Sequence, residues 1–297
     1  MMESESEQIF DIFQSHGVPN LTPDIDFSTV GKHAVAAGGL SDVYHARLLD
    51  GSVVAVKSLR ISFCDSEDLQ TLKHIAHELY IWSRCKHRNI LELNGTAHVR
   101  GRIALISPWM ENGSVPDFVL NHPGAPRYDM CAQLVAAVSY LHDVGVVHGN
   151  IRGANVLVTA DLTIKLGSLG GVANSGGLID LPCPADSEFL SIRWAAPEFM
   201  TGVAGRPTFY TDVYALGMTI LEIFSGSIPY RDVHLSFALL NRIMNGTPPN
   251  RPEELAKDDT RADVLWPLLL KCWSYDPSKR PAASDVLEVM NVLLATG

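Results

Sequence analysis

Four polar side chains crowd the stretch VVHGNIRGANVLV, Val146 to Val158: His148, Asn150, Arg152 and Asn155. It reads as an active-site loop, and the chemistry in view is phosphoryl transfer, which rests on positioning and on neutralising phosphate charge. The place where that chemistry needs a carboxylate holds Asn150. The residues therefore pose a choice between an enzyme and the shell of one.

The elements that must position these residues can be bounded first. A chain of 297 residues suffices for one large domain or two intimate lobes. A hydrophobic fraction of 46% supports a sizeable core and argues against general disorder. The formal net charge of -10 disfavours nucleic acid or an anionic membrane as partner. Cys64, Cys85, Cys131, Cys183 and Cys272 are scattered, without metal-ligand spacing, and read as reduced thiols in a cytoplasmic protein. The start, MMESESEQ, is acidic and polar, unlike a signal peptide, and no apolar run reaches the roughly eighteen residues of a membrane span.

Residues 1–28 read as an N-terminal extension in which Ile9, Phe10, Ile12 and Phe13 form one face of a short helix stopping near Gly17. Two readings stay open for it: packing on the main domain, or docking to a partner. From Val30 to Ile106 the pattern is strand-rich. SDVYHARL and SVVAVKSL flank the turn LDGS as a hairpin, and ILELNGTAH and RIALIS are two further strands. Between them EDLQTLKHIAHELYIWSRC carries Leu72, Ile75, Leu79 and Trp82 at helical spacing. After SPWMENGS the chain turns helical, with DMCAQLVAAVSYLHDVG, DVYALGMTILEIFSG, SFALLNRIMNG, VLWPLLLKCWSY and AASDVLEVMNVLL as the clearest helices. The expected class is α+β, a small β-rich lobe of about 29–110 with one main helix, then a larger helical lobe of about 111–297.

In this order the chain resembles the protein kinase family. The markers are VAVK ending at Lys57, Glu78 on the next helix, HGNIRGAN from His148, SLG from Ser168, RWAAPE from Arg193, TDVYALG from Thr211 and CWSYDPSKRP from Cys272. RWAAPE and CWSYDPSKRP look most like the tyrosine-kinase-like branch, including forms numerous in fungi. The resemblance implies the bilobal kinase fold; activity is a separate inference.

It also assigns residues, and several of them depart from the family pattern. The glycine-rich turn that approaches phosphates is AAGGLSDV here, where only Gly38 of three glycine positions remains; an ordinary hairpin turn reads equally well. Lys57 and Glu78 stand at the phosphate-gripping lysine and its carboxylate, a pair that serves the fold as well as catalysis. Val43 and Ala55 would cover one face of the adenine of ATP and Leu157 the other, with the carbonyl of Pro108 and the N–H of Met110 along its edge. Ser107 falls at the gatekeeper position. Asn150 replaces the catalytic aspartate; losing a positioned base costs about 10²–10⁴ in rate. Arg152 replaces the usual lysine, and Asn155 is a retained secondary metal ligand. Thirteen residues after Asn155, Ser168 replaces the metal aspartate, a poor exchange for Mg²⁺, which prefers hard charged oxygens. Leu169 follows at the phenylalanine position.

The structural pairs of the family, by contrast, persist: Glu198 with Arg280, and Asp212 with the N–H groups of loop 148–150. The expected function is a catalytically impaired pseudokinase, a regulatory or interaction module with a protein partner, weak metal-independent ATP binding and poor Mg²⁺ binding. The alternative is an atypical, weakly active serine/threonine or tyrosine kinase.

Overall fold

In a computed structural model the described residues are 10–11, 13–37, 41–60, 79–168, 192–201, 206–255 and 260–296. They divide into two compact units. One runs to Lys86 and resumes over Leu91–Met110; the other takes His87–Ile90 and the described residues from Glu111 onward.

Alternation builds the first unit. Its sheet is ordered β1 (Ile25–Asp26), β3 (Ser41–Leu48), β4 (Val53–Leu59), β6 (Arg102–Pro108) and β5 (Gly95–Val99), with β2 (Ala36–Ala37) also pairing with β3. Along β4, Val54, Val56 and Ser58 are buried while Ala55 and Lys57 fall on the other face, the two-residue period of a pleated strand. The buried face joins Ile25, Ala46, Val54, Val56, Ala97, Val99, Ala104 and Ile106 in one apolar cluster. The strands expected over SDVYHARL, SVVAVKSL and RIALIS form as read. The expected strand ILELNGTAH begins only at Gly95. Ile90, Leu91 and Leu93 are buried all the same. Leu91 gives its carbonyl to the indole N–H of Trp82 at 2.7 Å, and Asn94 N–H donates to Ile106 O of β6 at 2.8 Å, so backbone pairing with β6 starts only at the end of this stretch. Trp82 belongs to helical residues 79–84, the described end of the main helix.

The second unit is helical around an apolar axis. Its helices are α1 (Val115–Asn121), α2 (Arg127–Asp143), α3 (Pro197–Met200), α4 (Phe209–Ser225), α5 (Ser236–Met244), α6 (Thr260–Cys272) and α7 (Ala283–Ala295). All residues from Thr211 to Phe224 in α4 are buried. Thr208 starts this helix through a reciprocal capping box with Thr211, which satisfies amides left without intrahelical partners. The hairpin of β7 (Val156–Val158) and β8 (Ile164–Leu166) buries Val156, Val158, Ile164 and Leu166 and leaves Leu157 half-exposed on the opposite face. The architecture is the α+β kinase fold that the resemblance implies.

Candidate active site

In the first unit the sheet register decides what lies together. Val43 is directly opposite Lys57, which is opposite Leu105; His45 is opposite Ala55, which is opposite Ser107. Directly paired residues share a face, so Val43, Ala55, Lys57 and Ser107 line the side of the sheet away from its apolar cluster. Pro108 ends β6 in register with Val54. The next residue, Trp109, donates its N–H to Val53 O at 3.2 Å, and Met110 follows, nearly buried. Gly38, Glu78 and Leu169 lie outside the described residues.

In the second unit the loop after α2 is built on Asp212. This carboxylate is 1% exposed. Oδ2 accepts the N–H of His148 at 2.7 Å and Oδ1 that of Gly149 at 2.8 Å, while His142 Nε2 lies 3.1 Å from Oδ2. A buried carboxylate must be hydrogen-bonded, and two backbone amides of one loop are what it finds. His148 is fully buried. Its Nδ1 accepts the N–H of Asn150 at 3.1 Å, so Nε2 carries the proton and donates to Gly167 O at 3.1 Å.

These bonds draw the degenerate positions into one cluster. Asn155 Nδ2 donates to Asn150 O at 2.7 Å, and Gly167 N donates to Asn155 O at 2.9 Å. Ser168 follows at once, its φ of 62° in the left-handed region that few side chains other than Asn and Asp visit. The amide of Asn155 is oriented by this bond, so Oδ1 is the atom it offers a cation. Asp161, the other carboxylate near β8, is occupied in the turn before it, where Thr163 Oγ1 donates to Oδ2 at 3.0 Å.

Arg152 is half-buried and extended, and its charge acts on Glu222 in α4. Glu222 was not legible as a site residue, although a lone carboxylate in the apolar run ALGMTILEIFSG was its signal. It is 3% exposed, and its Oε2 accepts the N–H of Gly153 at 2.9 Å and Nε1–H of Trp194 at 3.1 Å. Burial pushes its pKa up from the ordinary 4.5 to about 7, against the pull of these two donors and of Arg152. It thereby joins the catalytic-position loop to the RWAAPE segment. In that segment Arg193 spends its guanidinium on the carbonyls of Pro229, Tyr230 and Val233. Glu198 and Arg280 form the expected pair, bidentate at 2.6 and 2.8 Å, with the Arg280 side chain fully buried.

Against this geometry, the family model described as "Protein tyrosine and serine/threonine kinase" matches residues 30–290. The chain belongs to the protein kinase family. It is 30% identical over 258 residues to mitogen-activated protein kinase kinase kinase 3 of Arabidopsis thaliana, covering 84% of this chain and 43% of the relative. It is 27% identical over 265 residues to kinase kinase kinase 5 of the same plant, covering 86% and 35%. Cell division control protein 7 of Schizosaccharomyces pombe is 29% identical over 255 residues, covering 84% and 22%. The chain spans less than half the length of each of these relatives.

Proposed function

We propose that this kinase domain is a pseudokinase of the tyrosine-kinase-like branch, of the kind numerous in fungi, acting in the cytoplasm as a regulatory or interaction module for a protein partner. One observation carries the reading. The cluster that gathers Asn150, Asn155 and Ser168 has neutral side chains at positions 150 and 168, the two places where the family pattern has carboxylates. An amide at 150 is a far weaker base than a carboxylate. Asn155 is kept as a secondary metal ligand, but the Ser168 hydroxyl is a poor exchange for a carboxylate toward Mg²⁺, which prefers hard, charged oxygens. The RWAAPE and CWSYDPSKRP motifs support the branch. Among the described residues no helix is long and apolar enough to cross a membrane.

Val43, Ala55 and Leu157 keep an apolar surface for adenine, and Lys57 and Arg152 keep cations for phosphate. Weak, metal-independent ATP binding follows, with the carbonyl of Pro108 and the N–H of Met110 as the edge contacts, Gly38 in the shortened glycine turn and Glu78 as the partner of Lys57.

The second reading, a weakly active serine/threonine or tyrosine kinase, is favoured by the relatives named as kinases and by the retained Lys57, Arg152 and Asn155. Purified protein incubated with labelled ATP and Mg²⁺ or Mn²⁺, beside a Lys57→Met control, separates the two. The expected result is no incorporation above the control. Clear incorporation by the parent alone would overturn the pseudokinase reading.

A further inference from the structure

The match to the kinase family begins at residue 30, yet the chain before it is seated on the first unit. Helical residues 13–15 end in a Schellman motif: Val18 N–H reaches Phe13 O at 3.0 Å and Gly17 N–H reaches Gln14 O at 2.9 Å, with Gly17 at φ 78°. Phe13 and Val18, the apolar pair such a motif brings together, are each 1% exposed. Phe10 lies edge-on to Phe13 and to His98 of β5, with ring centroids 6.2 and 6.5 Å apart. His16 meets Tyr80 edge-on at 6.2 Å, on helical residues 79–84.

The chain then meets the outer edge of β5 in one parallel bridge, Asn20 opposite Thr96. Leu21 N–H donates to Thr96 O at 2.7 Å, and Thr96 N–H donates to Pro19 O at 2.9 Å. An unpaired edge would leave these groups unsatisfied, so the segment does for β5 what strand addition does in peptide recognition. Gly95 is shaped for it: a Cβ there would stand 2.5 Å from Pro19 O and 2.9 Å from Leu21 Cγ. Yet Phe10, Phe13 and Val18 are not members of the apolar cluster of the sheet, against which Leu21 at the end of the segment packs from outside, and β5 keeps its own ladder with β6.

We propose that residues 10–21 are a peptide ligand carried in cis. The small lobe has a docking surface, made of the β5 edge and helix 79–84, for an apolar helix followed by a short strand. The chain's own N-terminal segment occupies it and holds that helix in place. Release of the strap would loosen the helix that Glu78 adjoins, so strap and nucleotide would be coupled; that last step rests on the reading of Glu78, whereas the docking itself does not.

Hydrogen exchange on the full chain tests it. Phe13→Asp is expected to speed amide exchange at Thr96 and over residues 79–84 by tenfold or more and to leave residues 127–143 unchanged. A synthetic peptide of residues 8–22 added in trans should restore the protection, and the same peptide carrying Phe13→Asp should not. Gly95→Val, which blocks the surface from the lobe's side, should expose the same amides and resist rescue. Unchanged exchange in Phe13→Asp, or failure of the parent peptide to restore protection, would overturn the proposal. So would a Phe13→Asp chain that cannot fold, because the segment would then belong to the core rather than dock on it.

Discussion

Glu222→Gln isolates the buried carboxylate under the loop. The parent side chain is 3% exposed and its pKa is raised from 4.5 to about 7, chiefly by burial. A raised pKa means that between these values the native state holds a proton that the unfolded chain has released. Stability from this group is therefore full below about pH 4.5 and is lost as pH rises through about 7. Two and a half decades of proton affinity, at about 1.4 kcal/mol each, come to roughly 3–4 kcal/mol, of which roughly 2–3 falls between pH 5 and pH 8. Glutamine nearly matches the protonated acid in shape and keeps one oxygen for the two donors, Gly153 N–H and Trp194 Nε1–H. The variant should therefore lie within about 1 kcal/mol of the parent at pH 5 and gain on it by about 2–3 kcal/mol at pH 8. Urea unfolding followed by circular dichroism, on both proteins from pH 5 to pH 8, measures the difference. Asp42, Asp50, Asp161 and Asp276, held below their ordinary values by hydrogen bonds, contribute with the opposite sign at lower pH. They are present in both proteins and cancel. Two profiles that stay parallel from pH 5 to pH 8 would refute the assignment of Glu222 as a group that is ionised at a cost.

Glu198→Gln leaves the guanidinium of Arg280 buried with its counter-charge removed and should cost about 3–5 kcal/mol, read as a lowered urea midpoint. Ser168→Asp restores a carboxylate at the position that the family pattern gives to the metal aspartate, at a φ of 62° that aspartate tolerates, and should introduce magnesium dependence into nucleotide binding. For a parent dissociation constant on the order of 1 mM, ATP at about 1 mM raises the melting temperature by roughly 1–2 °C whether or not Mg²⁺ is added. A larger shift with the ion should appear in Ser168→Asp alone.

Much of the fold is legible because its elements are locally consistent. VVAVKSL alternates on the pleat and its burial follows that period, while the run that became α4 is apolar enough to be buried from Thr211 to Phe224 on every side. The errors have a common cause. Residues 90–93 look like the start of a strand, but the carbonyl of Leu91 is taken by the indole of Trp82, and nothing in the local pattern reveals a side chain arriving from elsewhere. The apolar face at Phe10 and Phe13 was visible, whereas the edge it covers exists only once β5 is in the sheet. At the candidate site, the family resemblance assigned Asn150, Asn155, Asp212, Glu198 and Arg280, and a count from Asn155 assigned Ser168; the expected bonds of Asp212 and the Glu198–Arg280 pair are present. Glu222 escaped because a single carboxylate in an apolar helix breaks the pattern without naming its partners, which are a backbone amide and an indole far along the chain.

The same distinction explains which residues the fold can do without. Asp212, Glu222 and Glu198 are acceptors for buried donors: loop amides, an indole and a guanidinium. Removing any one of them leaves a buried donor unmet, at about 1–3 kcal/mol for a neutral group and more for a charged one. At Asn150 the bonds that shape the loop are made by the main chain, its N–H to His148 and its carbonyl to Asn155. At Ser168 the backbone is positioned from the preceding residue, whose N–H and carbonyl are held by Asn155 and His148. These main-chain bonds involve neither the Asn150 nor the Ser168 side chain. Charge needed only for chemistry is therefore cheap for the fold to lose, while an acceptor that satisfies the loop is expensive. On the pseudokinase reading proposed above, that asymmetry would let a kinase fold persist without its chemistry.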